Sequence, residues 1–282
     1  AVQPFFIGLS TLLLPEILLA LFAWLALTSF HENKYGMAGL YSTLAVFTKE
    51  SGILLPIAFI GYLLLQQILF WKESKGKWNI RLLWLFTPFL FFGLFLVVQK
   101  IQNGWYFFPY HVSTVSLEWP TVQEHFGDFF NFLIRNQKRN WWKWIMIAGL
   151  VAAIVKGAFT KNSLRNSFLL LLGVFIAGNL CASSLAFYMS RYVFLLLPPL
   201  ALIVSISLYT VTRSIALRAA VVVLLSAAAL STLDTDKFNY EEDIAYRKSV
   251  YTLVNAFNYL QQQQQPQDTI AGPFPAYFVL AT

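Results

Sequence analysis

The feature that most limits what this chain can become is a succession of apolar runs separated by polar turns. They cover Val2–Leu14, Glu16–Phe30, Met37–Phe47, Ile53–Trp71, Leu82–Val98, Trp141–Val155, Phe168–Phe187, Tyr192–Tyr209 and Ala219–Leu233. A helix that crosses a bilayer needs roughly 20 predominantly apolar residues, and about 17 can suffice. Glu16–Phe30 and Met37–Phe47 are short. Composition agrees with the pattern: of 282 residues 58% are hydrophobic and 12% charged, where soluble domains carry roughly 25% charged residues. A disordered chain, a disulfide-stapled secreted module and an ordinary soluble enzyme are therefore excluded. The expected fold class is an all-α polytopic membrane protein with eight or nine transmembrane helices.

The few charges sort by side. Lys72, Lys75, Lys77 and Arg81 form the densest basic turn, which the positive-inside rule assigns to the cytoplasm. Alternating outward from that turn puts Lys34, then Lys156, Lys161 and Arg165, then Arg213 and Arg218 on the same face. The opposite face receives the Thr48-Lys49-Glu50-Ser51 turn, the stretch from Lys100 to Asn140, the Met189-Ser190-Arg191 turn and everything after Asp234. The net charge of +7 then reflects loops attracted to anionic lipid, and no nucleic-acid partner is expected. Cys181 stands alone in an apolar run, so neither a disulfide framework nor a cysteine metal site is available, and no metal site is expected. The chain opens at Ala1 inside a hydrophobic stretch with no basic leader, which reads as the interior of a longer protein.

Two segments stand outside the spans. From Val122 to Ile134 apolar residues recur at amphipathic-helix spacing, followed by Arg135, Lys138 and Arg139 and then Trp141, Trp142 and Trp144. This reads as an outer interfacial helix leading into an aromatic belt, or equally as a helix packed over the bundle. After Asp234 the chain turns polar, with a surface-helix pattern from Glu241 to Gln262, a glutamine run and a strand-like Asp268-Thr269-Ile270-Ala271-Gly272. The expected division is a transmembrane body over 1–233 and, over 234–282, the start of a small extracytoplasmic C-terminal α/β domain.

Ionisable residues at the edge of a span are costly to keep there and invite a functional reading. Glu16 opens a span directly after Pro15, Lys49 and Glu50 occupy a turn, Arg191 precedes another span, and His111 ends the aromatic run from Trp105. Each has a plainer explanation: a helix-dipole carboxylate for Glu16, a solvated pair for Lys49 and Glu50, an arginine reaching lipid phosphate, a structural histidine. Their convergence on one face supports the functional reading. A lysine supplies a point charge and an arginine a bidentate fork, and together they suit a lipid-linked phosphate as a leaving group. Sugar transfer would further need a carboxylate base to activate the acceptor hydroxyl.

Pro15-Glu16, Thr48-Lys49-Glu50-Ser51-Gly52 leading to Leu55-Pro56, and Arg191-Tyr192 leading to Pro198 resemble the GT-C superfamily of integral-membrane glycosyltransferases. The likeness is to its bacterial branch, related to protein O-mannosyltransferases and the lipid A aminoarabinose transferase, and it extends from Ala1 to about Leu233. The resemblance implies transfer of a sugar from a polyprenyl-phosphate carrier to a glycan, lipid or protein acceptor outside the cytoplasm, by inverting displacement, at a bacterial inner membrane. It matches Glu16, Lys49-Glu50 and Arg191-Tyr192 to family positions on the outer side; with His111, whose aromatic run could contact headgroups or a sugar face, the candidate substrate-binding residues are Lys49, Arg191, Glu50, Glu16 and His111. The family's catalytic carboxylate lies in its first outer loop, a region expected upstream of Ala1, so no catalytic residue is assigned and the cofactor is undefined. Asp234-Thr235-Asp236 resembles that acidic motif in letters only. Two other readings stand beside it: a transporter or flippase of a lipid-linked or anionic substrate, and a non-catalytic subunit of a membrane complex. Transporters place charges at mid-bilayer in broken helices, whereas these span cores are almost wholly aliphatic.

Overall fold

The computed structural model describes residues 15–69, 80–107, 109–135, 139–156, 168–186 and 189–231, together with positions 252, 255, 256, 259 and 262. The Val2–Leu14 run, the turn holding Lys72, Lys75 and Lys77, the Lys161–Arg165 segment, and the α/β tail expected after Asp234, apart from those five positions, lie outside the described residues. The described residues are helical, with no strand among them. In chain order the α-helices are α1 (Pro15–His31), α2 (Tyr35–Thr48), α3 (Leu54–Leu69), α4 (Thr87–Asn103), α5 (Pro109–Ser113), α6 (Trp119–Ile134), α7 (Asn140–Val155), α8 (Phe168–Ser184), α9 (Leu197–Val211) and α10 (Ile215–Leu230). Three 3-10 segments, Glu50–Ile53, Ile80–Phe86 and Ser190–Leu196, lead into α3, α4 and α9.

Local chemistry sets several ends. Proline at the first helical positions opens α4, α6 and α9, where its missing N–H has no intrahelical partner to lose. Asn33 takes a left-handed φ of 59° after α1. The Lys34 N–H then reaches the Ser29 carbonyl and the Asn33 N–H the Phe30 carbonyl, which satisfies the last carbonyls of the helix. Asn33 Oδ1 also accepts from the Tyr35 hydroxyl at 2.8 Å, tying this turn to the start of α2.

Small residues let α1 and α2 lie close together. Ala20, Ala23 and Ala26 on α1 are buried, as are Ala38, Ser42 and Ala45 on α2, the arrangement by which helices in an apolar solvent gain van der Waals contact. Around this pair the core is completed by α3, α8 and the Ser190–Leu196 segment, with Phe30 stacked on Phe59 at 4.3 Å between centroids. On the other side of the fold α7 crosses α9 at Gly149, where a Cβ would stand 2.3 Å from the Ser207 Cβ.

Three continuous helical stretches are long and apolar enough to cross a membrane: Glu50–Leu69 (20 residues), Leu82–Asn103 (22 residues) and Arg191–Val211 (21 residues). The remaining apolar helices α1, α7, α8 and α10 are shorter. The eight or nine runs legible in the sequence therefore correspond to three stretches of full spanning length among the described residues. Runs at Leu82 and Tyr192 gain length because 3-10 turns precede their helices, while the run at Phe168 closes as a helix at Ser184. Burial separates the three: 56% of the Arg191–Val211 window is buried against 11% of Leu82–Asn103. The latter exposes Leu90, Phe91, Leu94, Phe95, Val98 and Ile101, an apolar surface far more continuous than soluble monomers display.

The amphipathic segment forms helix α6, which packs on the bundle. One face, with Phe129, Phe132 and Leu133, is buried against α8, and the other exposes Trp119, Phe126 and Phe130. Arg139, one of the basic residues that follow this helix in sequence, is fully buried. Its Nε donates to the Leu133 carbonyl at 3.0 Å, its Nη2 to that of Phe132, and its guanidinium lies 4.8 Å over the Phe132 ring. The end of α6 presents free carbonyls to the interior, and this cation satisfies them.

Candidate functional site

The site forms where α1 begins, α2 ends and the Ser190–Leu196 segment starts. Glu16 lies in the first turn of α1, where the helix dipole favours a carboxylate, and it is 3% exposed. Lys49 follows α2 in an extended conformation (φ −160°, ψ 140°), its N–H closing on the Ala45 carbonyl at 3.0 Å. The chain then turns sharply, with the Gly52 N–H on the Lys49 carbonyl at 2.8 Å. Only glycine fits there, since a Cβ would lie 2.4 Å from the carbonyl carbon of Ala45. Met189 is likewise extended before the turn that carries Arg191.

These turns bring together three residues that are distant in sequence. Lys49 Nζ donates to Glu16 Oε1 at 2.6 Å, and Arg191 Nε stands 3.8 Å from the same oxygen. The carboxylate side chain is nearly fully buried, whereas Lys49 and Arg191 keep 24% and 28% of theirs exposed. Lys49 also lies 4.9 Å over the Tyr192 ring, in reach of a cation–π contact. Formal charges of +1, +1 and −1 leave the cluster with one net positive charge. Among the described residues Glu16 Oε2 accepts no hydrogen bond. A buried charged acceptor depends on its partners, so Lys49 and Arg191 carry the compensation for burying Glu16.

The five residues singled out by sequence divide. Glu16, Lys49 and Arg191 meet. Glu50 is half-buried in the following 3-10 turn and makes no ion pair among the described residues, because that turn carries it past α2 and out of the cluster. The His111 backbone lies in the short helix α5, while its side chain lies outside the described residues. Tyr192 was absent from that group; its signal was adjacency to Arg191, which acquires meaning only once Lys49 is known to sit above the ring. No cluster of three His, Cys, Asp or Glu side chains able to hold a metal occurs among the described residues. The connection between α4 and α6, and α6 itself, bond to the end of α8: the Ser116 N–H donates to the Leu185 carbonyl at 2.8 Å, and His125 Nδ1 lies 3.3 Å from the Ser184 carbonyl oxygen.

Compared with known proteins, the chain matches no family model, no curated protein and no solved structure.

Proposed function

We propose that this chain is the membrane-embedded body of a bacterial glycosyltransferase of GT-C type, which takes a sugar from a polyprenyl-phosphate carrier on the extracytoplasmic side of the inner membrane. In this reading the body has eight or nine spans and leads into a C-terminal α/β domain. The observation that carries it is the Glu16–Lys49–Arg191 cluster: two cations held side by side by one buried carboxylate, part-exposed, with net positive charge.

The chemistry follows from that geometry. An acceptor hydroxyl attacks the anomeric carbon, the bond from that carbon to the carrier phosphate oxygen breaks, and the electron pair leaves with the phosphate. Lys49 and Arg191 stabilise the charge that develops there, in a partly water-excluded setting where such contacts count for more. Glu16 keeps the two cations together against their mutual repulsion. The base that takes the acceptor proton lies outside this cluster.

The experiment is turnover of polyprenyl-phosphate sugar by the full-length protein. Lys49→Ala and Arg191→Ala should each lower kcat by about 100-fold, the scale seen on losing one donor to a developing oxyanion. Unchanged turnover in both would remove the phosphate-clamp reading.

A further inference from the structure

A cavity of about 700 Å³ lies away from this cluster, in a groove between α7, α9 and α10. Its walls are apolar along most of their length, including Trp142, Leu197, Ala201, Val204 and Leu225. It follows α9 from Leu197 to Tyr209, roughly 18 Å at about 1.5 Å per residue. That is slightly more than half of a hydrocarbon core about 30 Å thick, the depth of one leaflet.

The end of the groove farthest from Arg191 is cationic. Arg218 lines it, its guanidinium 4.8 Å over the Tyr209 ring and its Nη2 3.2 Å from the Arg213 carbonyl. Its Nε is buried and makes no hydrogen bond among the described residues. Lys156, at the end of α7, donates to the Thr210 carbonyl beside it, and Arg213 is exposed in the same turn. None of the three makes an ion pair with a carboxylate among the described residues, whereas Lys34 and Lys49 each do. Neutralising the carbonyl end of α9 accounts for one cation. It does not account for three, nor for a guanidinium turned along an apolar groove when it could extend into water.

We infer that the α7–α9–α10 groove is a binding site for an anionic phospholipid, whose acyl chain lies along α9 and whose phosphate meets Arg218, with Arg213 and Lys156 at the mouth. An arginine fork matches phosphate oxygens with two parallel hydrogen bonds. An acyl chain covers the apolar walls that α10, packed loosely on the bundle, leaves open. The site rests on the membrane-embedded reading and is independent of sugar transfer.

The test uses full-length protein in a mild non-ionic detergent, with lipid retention measured by native mass spectrometry. Dioleoyl phosphatidylglycerol should be retained at one molecule per chain and preferred over dioleoyl phosphatidylethanolamine. Arg218→Gln and Arg213→Gln should each weaken that retention by about fivefold, the contribution of one basic residue near an anionic lipid surface. Lys34→Gln, in a turn outside the groove, should leave it unchanged, and Ser226→Trp should block it. Equal retention of the two lipids by the unaltered protein overturns the site without recourse to any variant. So does an equal loss in Lys34→Gln and Arg218→Gln, or preferential retention of polyprenyl phosphate that Arg218→Gln abolishes. Release of the chain from membranes by alkaline carbonate would instead overturn the membrane-embedded reading on which the site depends.

Discussion

At one end of the bundle two cations share a buried carboxylate; at the other, cations rest on backbone carbonyls and an aromatic ring. Lys49 and Arg191 converge on Glu16 Oε1, while Lys156 and Arg218 are held by the carbonyls of Thr210 and Arg213. The difference is one of desolvation. A carboxylate that is 3% exposed is tolerated only with its partners in place, so it fixes the geometry of three chain segments at once. Lys156 and Arg213 at the carbonyl end of α9 are exposed and, with no carboxylate partner among the described residues, fix little, which leaves them able to rearrange around a ligand.

The comparison can be broken most decisively at Glu16. Glu16→Gln keeps the volume but leaves two cations facing each other, and should cost about 3–5 kcal/mol of stability. Thermal unfolding in detergent would read this as a large fall in Tm; a neutral result would mean that water already screens the cluster. Next comes packing, which separates site from scaffold. Gly149→Leu forces α7 away from α9 and should cost about 1–3 kcal/mol. Gly52→Ala disturbs the turn that presents Lys49, so it should lower the proposed sugar-transfer activity as well as Tm. Equal activity in Gly52→Ala and the unaltered protein would detach that turn from the site.

At the opposite end, Arg213→Gln should change stability by only about 0–1 kcal/mol, as exposed cations do. A loss in Tm as large as that of Glu16→Gln would erase the distinction between the two ends.

The smallest effect lies in the exposed α1–α2 turn. The hydrogen bond and charge of Lys34, 2.7 Å away, hold the Glu32 carboxyl below its ordinary pKa, and Glu32 in turn raises that of Lys34. The pair's contribution is therefore present between the two titrations. It is lost as pH falls through the lowered Glu32 value and as pH rises through the raised Lys34 value. Lys34→Gln should return the Glu32 titration to the ordinary carboxylate range, followed by the carboxyl carbon chemical shift; an unmoved midpoint would show that the pair does not persist in solution.

Much of this was legible in the chain itself. Apolar runs located α3, α4, α7, α8, α9 and α10 within a few residues, because a sequence with few charges leaves few places for a helix to end. Val122–Ile134 announced α6 through its spacing. Three of the five candidate site residues meet, since Glu16, Lys49 and Arg191 are each costly charges beside apolar segments and each needs a partner. Glu50 shares the turn with Lys49, yet a 3-10 turn takes it elsewhere, and no sequence spacing distinguishes the two. Arg139 shows the limit most clearly: in sequence it belongs to a basic run, in the structure it is enclosed, because the end of α6 happens to turn its carbonyls inward.

What the sequence determined by itself is an apolar, all-helical body with its scarce charges gathered near helix ends, since burying lone charges within a helix core is too costly. Tertiary structure decided which of those charges meet. Side-chain chemistry makes a lysine and an arginine equally ready to bind any carboxylate; only the close approach of α1, α2 and the Ser190–Leu196 segment makes Glu16 the one they share, and only the crossing of α7, α9 and α10 leaves a groove for Arg218 to line.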